Sequence, residues 1–106
     1  MSEALKGHLD LMLLAILEGG PAHGYAVIDE LARRSREAFD LPEGTVYPAL
    51  HRLEADGLLA SRWIPHGGRR RRVYELSRRG RRELARRRDE WRVFHEAVDL
   101  VVEPAR

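Results

Sequence analysis

The chain has 106 residues, 43% hydrophobic and 34% charged, with 19 basic and 17 acidic side chains for a net charge of +2. That is room for one domain plus an appended helix, with enough apolar content for a core, so a disordered tail is excluded. The absence of cysteine excludes disulfide scaffolds, thiolate catalysis and cysteine-based zinc sites.

Leu5, Leu9, Met12, Leu13, Ile16 and Leu17 recur at helical spacing and predict a first helix from Glu3 to Glu18. Leu11 and Leu14 add apolar surface on a second face, more than one small domain covers. Gly19-Gly20-Pro21 stops this helix. Its apolar run, Leu9 to Leu17, is far too short to span a bilayer and has no cleavable-leader pattern, so a soluble cytoplasmic protein is expected. A second helix starts near Gly24-Tyr25, buries Tyr25, Ile28, Leu31 and Ala32 on one side, and ends before Leu41-Pro42. A third begins at Pro42 or Glu43, with Val46, Leu50 and Leu53 as its core stripe and Pro48 within about its first turn. Gly57 closes it.

Leu58 to Ile64 and Arg70 to Leu76 read as two strands joined by Pro65-His66-Gly67-Gly68, a β-hairpin. Ser77 then caps a long helix ending near Glu103-Pro104, with Leu84, Trp91, Phe94, Val98 and Val101 or Val102 along one side. The expected fold is therefore mainly α with a two-stranded β-wing. It is a winged helix-turn-helix over residues 1–76, followed by a C-terminal helix over 77–106. Arg69 to Arg88 is dense in arginine and holds only two acids, Glu75 and Glu83, an electrostatic footprint suited to phosphate.

The motifs resemble the PadR family of bacterial transcriptional regulators. They are His23-Gly24-Tyr25, then Gly44-Thr45-Val46-Tyr47-Pro48-Ala49-Leu50 with Arg52-Leu53-Glu54 and Gly57-Leu58, and finally Gly67-Gly68-Arg69 through Tyr74-Glu75-Leu76-Ser77 with Gly80. Their order and spacing carry the resemblance over most of Leu5 to Glu103. The chain lacks the multi-helix C-terminal domain of larger members and resembles the short subfamily; Ser77 stands where Thr is commoner, preserving the capping oxygen. The resemblance implies a symmetric dimer on palindromic operator DNA, with the first and last helices at the interface and an effector that releases the DNA.

In such a fold the third helix enters the major groove. Its outward candidates are Glu43, Thr45, Tyr47, Pro48, His51 and Arg52. Thr45 suits base-edge contact or a cap; Tyr47 suits phosphate or packing between helices two and three; Arg52 suits phosphate. Tyr25 at the start of helix two suits phosphate or the core. Arg69, Arg70, Arg71 and Arg72 charge the wing, Arg70 and Arg72 on the face of Tyr74 and Arg69 and Arg71 on the other, while Trp63 is expected to pack under it. No Asn or Gln stands on the third helix, so shape and backbone contacts are expected to contribute much.

Dimerisation through helices one and four accounts for both surplus apolar surfaces. The resemblance further implies that Trp91 lines a cavity for a flat aromatic effector at the dimer centre, with Phe94, Val98, Leu9 and Leu13 as neighbours; interface core is its other role. The five histidines lie on five elements without metal-ligand spacing, and no nucleophile–base pair or phosphate-cradling loop appears, so neither an enzyme nor a cofactor is expected. The competing function is a winged-helix protein–protein module without DNA binding, which the wing arginines oppose.

Overall fold

The computed structural model describes residues 3–105, apart from the Lys6 side chain; residues 1, 2 and 106 of the two predicted ranges lie outside the described residues. Helix α1 spans Glu3–Leu17, with an acidic residue in its first turn, where the positive end of the helix dipole favours it. Leu5, Leu9, Leu13, Leu14, Ile16 and Leu17 are buried, while Leu11 and Met12 are half-covered. Leu14 thus belongs to the domain's own core, and the expected second apolar face is narrower than predicted. Gly20, at φ 134°, turns the chain into a short strand β1, Ala22–His23.

Helix α2 covers Gly24–Arg34, its first turn capped by His23, whose Nδ1 accepts from the Ala26 N–H at 3.3 Å. It ends well before Leu41, at Ser35. Arg36 and Glu37 are both left-handed (φ 51° and 69°), and Glu37 N–H returns to the Ala32 carbonyl at 2.8 Å. The Ser35 hydroxyl accepts from Phe39 N–H at 3.0 Å, pinning a linker whose Phe39 and Leu41 pack on the core.

Helix α3 is Glu43–Ala55, entered through extended Pro42. Pro48 lies deeper than its predicted first-turn position and deprives the Gly44 carbonyl of its helical donor; Gly44 is exposed, which leaves that carbonyl on the solvent side of the helix. Strands β2 (Leu59–His66) and β3 (Arg69–Leu76) pair over their whole length around a two-residue turn. Gly67 and Gly68 both have positive φ (53° and 77°), the conformation of the tight hairpin turn that matches strand twist. The strands therefore run closer to the tip than the predicted four-residue turn allowed. Pro65 fits because β2 is an edge strand. The sheet has three strands in the order β1-β3-β2, because His23 pairs with Val73 and Ala22 with Tyr74.

Ser77 separates β3 from helix α4, Arg78–Val102, and its hydroxyl accepts from Gly80 N–H at 3.0 Å. Of α4 only Gly80 and Leu84 are buried. Gly80 is needed there: a Cβ would lie 2.0 Å from the Leu58 carbonyl oxygen. Farther out the helix runs along α1 through Arg88–Glu18 and Arg87–Asp10 ion pairs and leaves Trp91, Val93, Phe94, Val98, Leu100, Val101 and Val102 exposed. Among the described residues no helix is long and apolar enough to cross a membrane.

Candidate nucleic-acid interface

The starts of α2 and α3 face the wing across a groove of about 660 Å³. Gly24 opens α2, and its missing side chain makes room for Tyr47 of α3, whose Cε1 lies 2.0 Å from where a Cβ would be. Tyr47 therefore packs between the two helices, the second of its predicted roles. Tyr25 is 56% exposed and meets Tyr47 edge-on at 6.2 Å. The Glu43 carboxylate at the start of α3 raises the Tyr25 pKa. Tyr47 stacks on His51 (6.5 Å), and His51 leans on buried Tyr74 (6.4 Å), extending the aromatic surface to the sheet.

On the wing, cross-strand register places Ser61, Trp63 and Pro65 on the same face as Tyr74, Arg72 and Arg70. Trp63 is 53% exposed instead of packed beneath the wing, with the guanidinium carbons of Arg70 and Arg72 at 5.1 and 5.5 Å from its ring centroid. A turn centred on Gly67-Gly68 sets Trp63 opposite Arg72, a pairing the longer predicted turn hides. Arg72 is also held by Glu54 and the Ser61 hydroxyl, each at 2.8 Å. That arrangement, Ser61 foremost, lowers the Glu54 pKa. Arg69, Arg70 and Arg71 have no ion-pair partner among the described residues. His23 and His66 join them at the groove, and burial, then Arg71 and His66, push the His23 pKa down.

The groove thus gathers Tyr25, Tyr47, His51 and Arg69 to Arg72 of the predicted set. Thr45 and Pro48 do not line it; the helix cap is Pro42, so Thr45 is not a capping residue. Arg52 turns to α1 and pairs with Asp10 while its side chain stays 54% exposed. Sequence reasoning missed Trp63, His23 and His66. Three histidines from separate elements line this groove, two of them, His23 and His66, brought there by the sheet pairing.

A second concavity, about 450 Å³, lies between α1 and α4 and is lined by His8, Leu11, Trp91 and Phe94 with Arg86, Arg87 and Glu90. Trp91 is 39% exposed, meets His8 edge-on at 4.8 Å and stacks on His95 at 5.4 Å. The cleft's cations are already paired: Glu83 binds both Arg86 and Arg87, which pull its pKa down to about 2. Leu9 and Leu13 do not line the cleft, contrary to the expectation. They point to the other side of α1, where both are sealed in the core, and His8 and Leu11 take the places facing Trp91. Val98 lies beyond the cleft on the exposed outer part of α4.

A family model for PadR-like transcriptional regulators matches residues 13–86. The transcriptional regulator Rv3488 of Mycobacterium tuberculosis is 40% identical over 84 residues, covering 79% of this chain and 76% of its own. A PadR family transcriptional regulator from Eggerthella lenta is 33% identical with a TM-score of 0.84, over 97% of this chain and 88% of that one. A transcriptional regulator from Clostridium thermocellum shares the fold, with a TM-score of 0.88 at 24% identity over 96% of this chain and all of that one. With three helices, a wing and one long terminal helix in place, the chain belongs to the PadR-like family of transcriptional regulators.

Proposed function

We propose that the protein is a cytoplasmic DNA-binding repressor that works as a two-fold homodimer and leaves its operator when a flat aromatic effector enters the α1–α4 cleft. The observation that carries this reading is the charge of the groove: Arg69, Arg70 and Arg71 reach it with no carboxylate pairing them among the described residues. Unpaired guanidiniums beside the first turns of two helices favour phosphate, and displacing the counterions of DNA supplies the affinity. The outer face of α3, with exposed Pro48 and His51 and half-buried Thr45, then meets the major groove.

Dimerisation is supported by the apolar side of α4: Trp91, Phe94, Val98, Val101 and Val102 are all exposed in the single chain. Such a surface is larger than scattered surface hydrophobes and suits a self-complementary helix interface. Two-fold symmetry would set half-sites roughly 34–36 Å apart, or a multiple of that. The aromatic lining of the cleft supports the effector class, because its arginines already have acidic partners and leave Trp91 and Phe94 as the free recognition surface. A ligand there would act by favouring one separation of the two reading heads over another.

Fluorescence anisotropy with the promoter of the neighbouring gene, at several salt concentrations, tests the DNA-binding part. Affinity should fall steeply with salt, and replacing Arg69, Arg70 and Arg71 by Ala should flatten that dependence. Absent or salt-independent binding would replace this reading with a protein-interaction module.

A further inference from the structure

We infer that Trp63 is a positioning residue of the wing, whose indole holds the Arg70 guanidinium at the groove before any DNA arrives. The inference rests on the DNA-binding reading above and names a residue that reading leaves without a role. Trp63 is the largest side chain on the wing and half of it faces water, so core packing does not account for it. Register explains what it does touch. Trp63 stands opposite Arg72 and diagonal to Arg70, which pairs with Pro65, and all four share one face of the hairpin. Both guanidinium carbons lie within the range of cation–π attraction, at 5.1 Å for Arg70 and 5.5 Å for Arg72.

The two arginines differ in what else they do. Arg72 is committed: Glu54 balances its charge, Ser61 accepts from its Nε, and it also lies over Tyr74 at 5.8 Å. It steadies the indole from the base of the wing. Arg70 has no ion pair or hydrogen bond among the described residues, and the indole is its one ring contact. A planar guanidinium uses its face on an aromatic ring and its edge N–H groups on phosphate oxygens, so the two contacts do not compete. Stacking therefore spends in advance part of the rotamer freedom that an unsupported arginine at a hairpin tip would lose on binding.

The test combines a signal from the free protein with a double-mutant cycle on DNA. In the free protein, the Arg70 Nε–Hε resonance should carry a ring-current shift that Trp63→Leu abolishes and Trp63→Phe largely keeps. On duplex DNA, Trp63→Leu should weaken binding roughly two- to fivefold per wing while leaving the salt slope unchanged, since no charge is lost. Arg70→Ala should lower the slope by about one per wing, and adding Trp63→Leu to it should cost nothing further. An unshifted Arg70 signal in the unaltered protein overturns the inference. So does a further loss from Trp63→Leu in the Arg70→Ala background, which would make the indole a direct DNA contact. Failure of the unaltered protein to bind DNA at any salt concentration overturns the DNA-binding reading, and the inference with it; a negative result confined to the variants overturns the inference alone. Melting curves of both Trp63 variants should match the parent within a few degrees, and Trp63→Phe should recover the affinity that Trp63→Leu loses.

Discussion

Replacing Gly24 by Ala tests whether the packing of Tyr47 builds the groove. The backbone of Gly24 lies outside the positive-φ region, so alanine meets no conformational penalty. Its methyl would nevertheless fall 2.0 Å from Cε1, 2.6 Å from Cζ and 2.7 Å from Oη of Tyr47. No such contact is tolerated, and the ring must swing away from α2. Overpacking of this kind costs ~1–3 kcal/mol. The helix preference of Ala over Gly returns at most ~1 kcal/mol, and less in a first turn. The displaced ring also loses its edge contact with Tyr25 and its stack on His51. A net loss of ~1–2 kcal/mol corresponds to a drop in Tm of roughly 5–15 °C for a domain of this size. The decisive measurement repeats the substitution in a Tyr47→Leu background, where nothing fills the space beside position 24. There Gly24→Ala should be neutral or stabilising by up to ~1 kcal/mol in urea titrations. An equal cost in both backgrounds would refute the argument, since the penalty would then not come from the ring.

Gly80→Ala should be worse than Gly24→Ala, by ~3 kcal/mol or more, because the obstacle is the Leu58 carbonyl and backbone cannot swing aside; thermal melts compare the two. His23 is held below the ordinary histidine pKa, chiefly by burial, so the folded chain takes up this proton less readily than the unfolded chain. Its contribution should be complete above about pH 6.5 and decline as pH falls from there through the folded pKa. His23→Asn, which keeps a capping acceptor, should remove that part of the pH dependence of Tm; an unchanged slope would dismiss His23 as its source.

Helices α1 and α3 are legible because each buries a stripe of the right period: Val46, Leu50 and Leu53 in α3 and Leu9, Leu13 and Leu17 in α1 are all core residues. The arginine-rich wing was legible from two glycines between apolar-flanked strands. Other features leave no periodic trace. Strand β1 has two residues and exists only because β3 offers a free edge beside it. The end of α2 is set by consecutive left-handed residues, Arg36 and Glu37, neither of a type that announces such a conformation. The resemblance sets Leu9 and Leu13 beside Trp91, yet side chains on one helix divide by face, and theirs is the core face. Trp63 depended on hairpin register, which a difference of two residues in turn length shifts for the whole wing.

The junction at Ser77 has a mechanical consequence. The Ser77 hydroxyl donates to the Gly57 carbonyl at 2.7 Å, its N–H reaches Leu58 O at 3.1 Å, and Arg79 bonds the Asp56 carbonyl at 2.9 Å. The end of α3, the root of the wing and the first turn of α4 are thereby riveted at one point, with no flexible spacer between them. A rod of 25 residues, about 37 Å long, leaves that rivet. Tilting it by about 5° displaces its far end by about 3 Å, close to the spacing of successive nucleotides along a DNA strand. In the proposed homodimer, a small change in the crossing angle of the paired α4 helices would therefore pass, without gearing or slack, to the register of the two grooves on DNA.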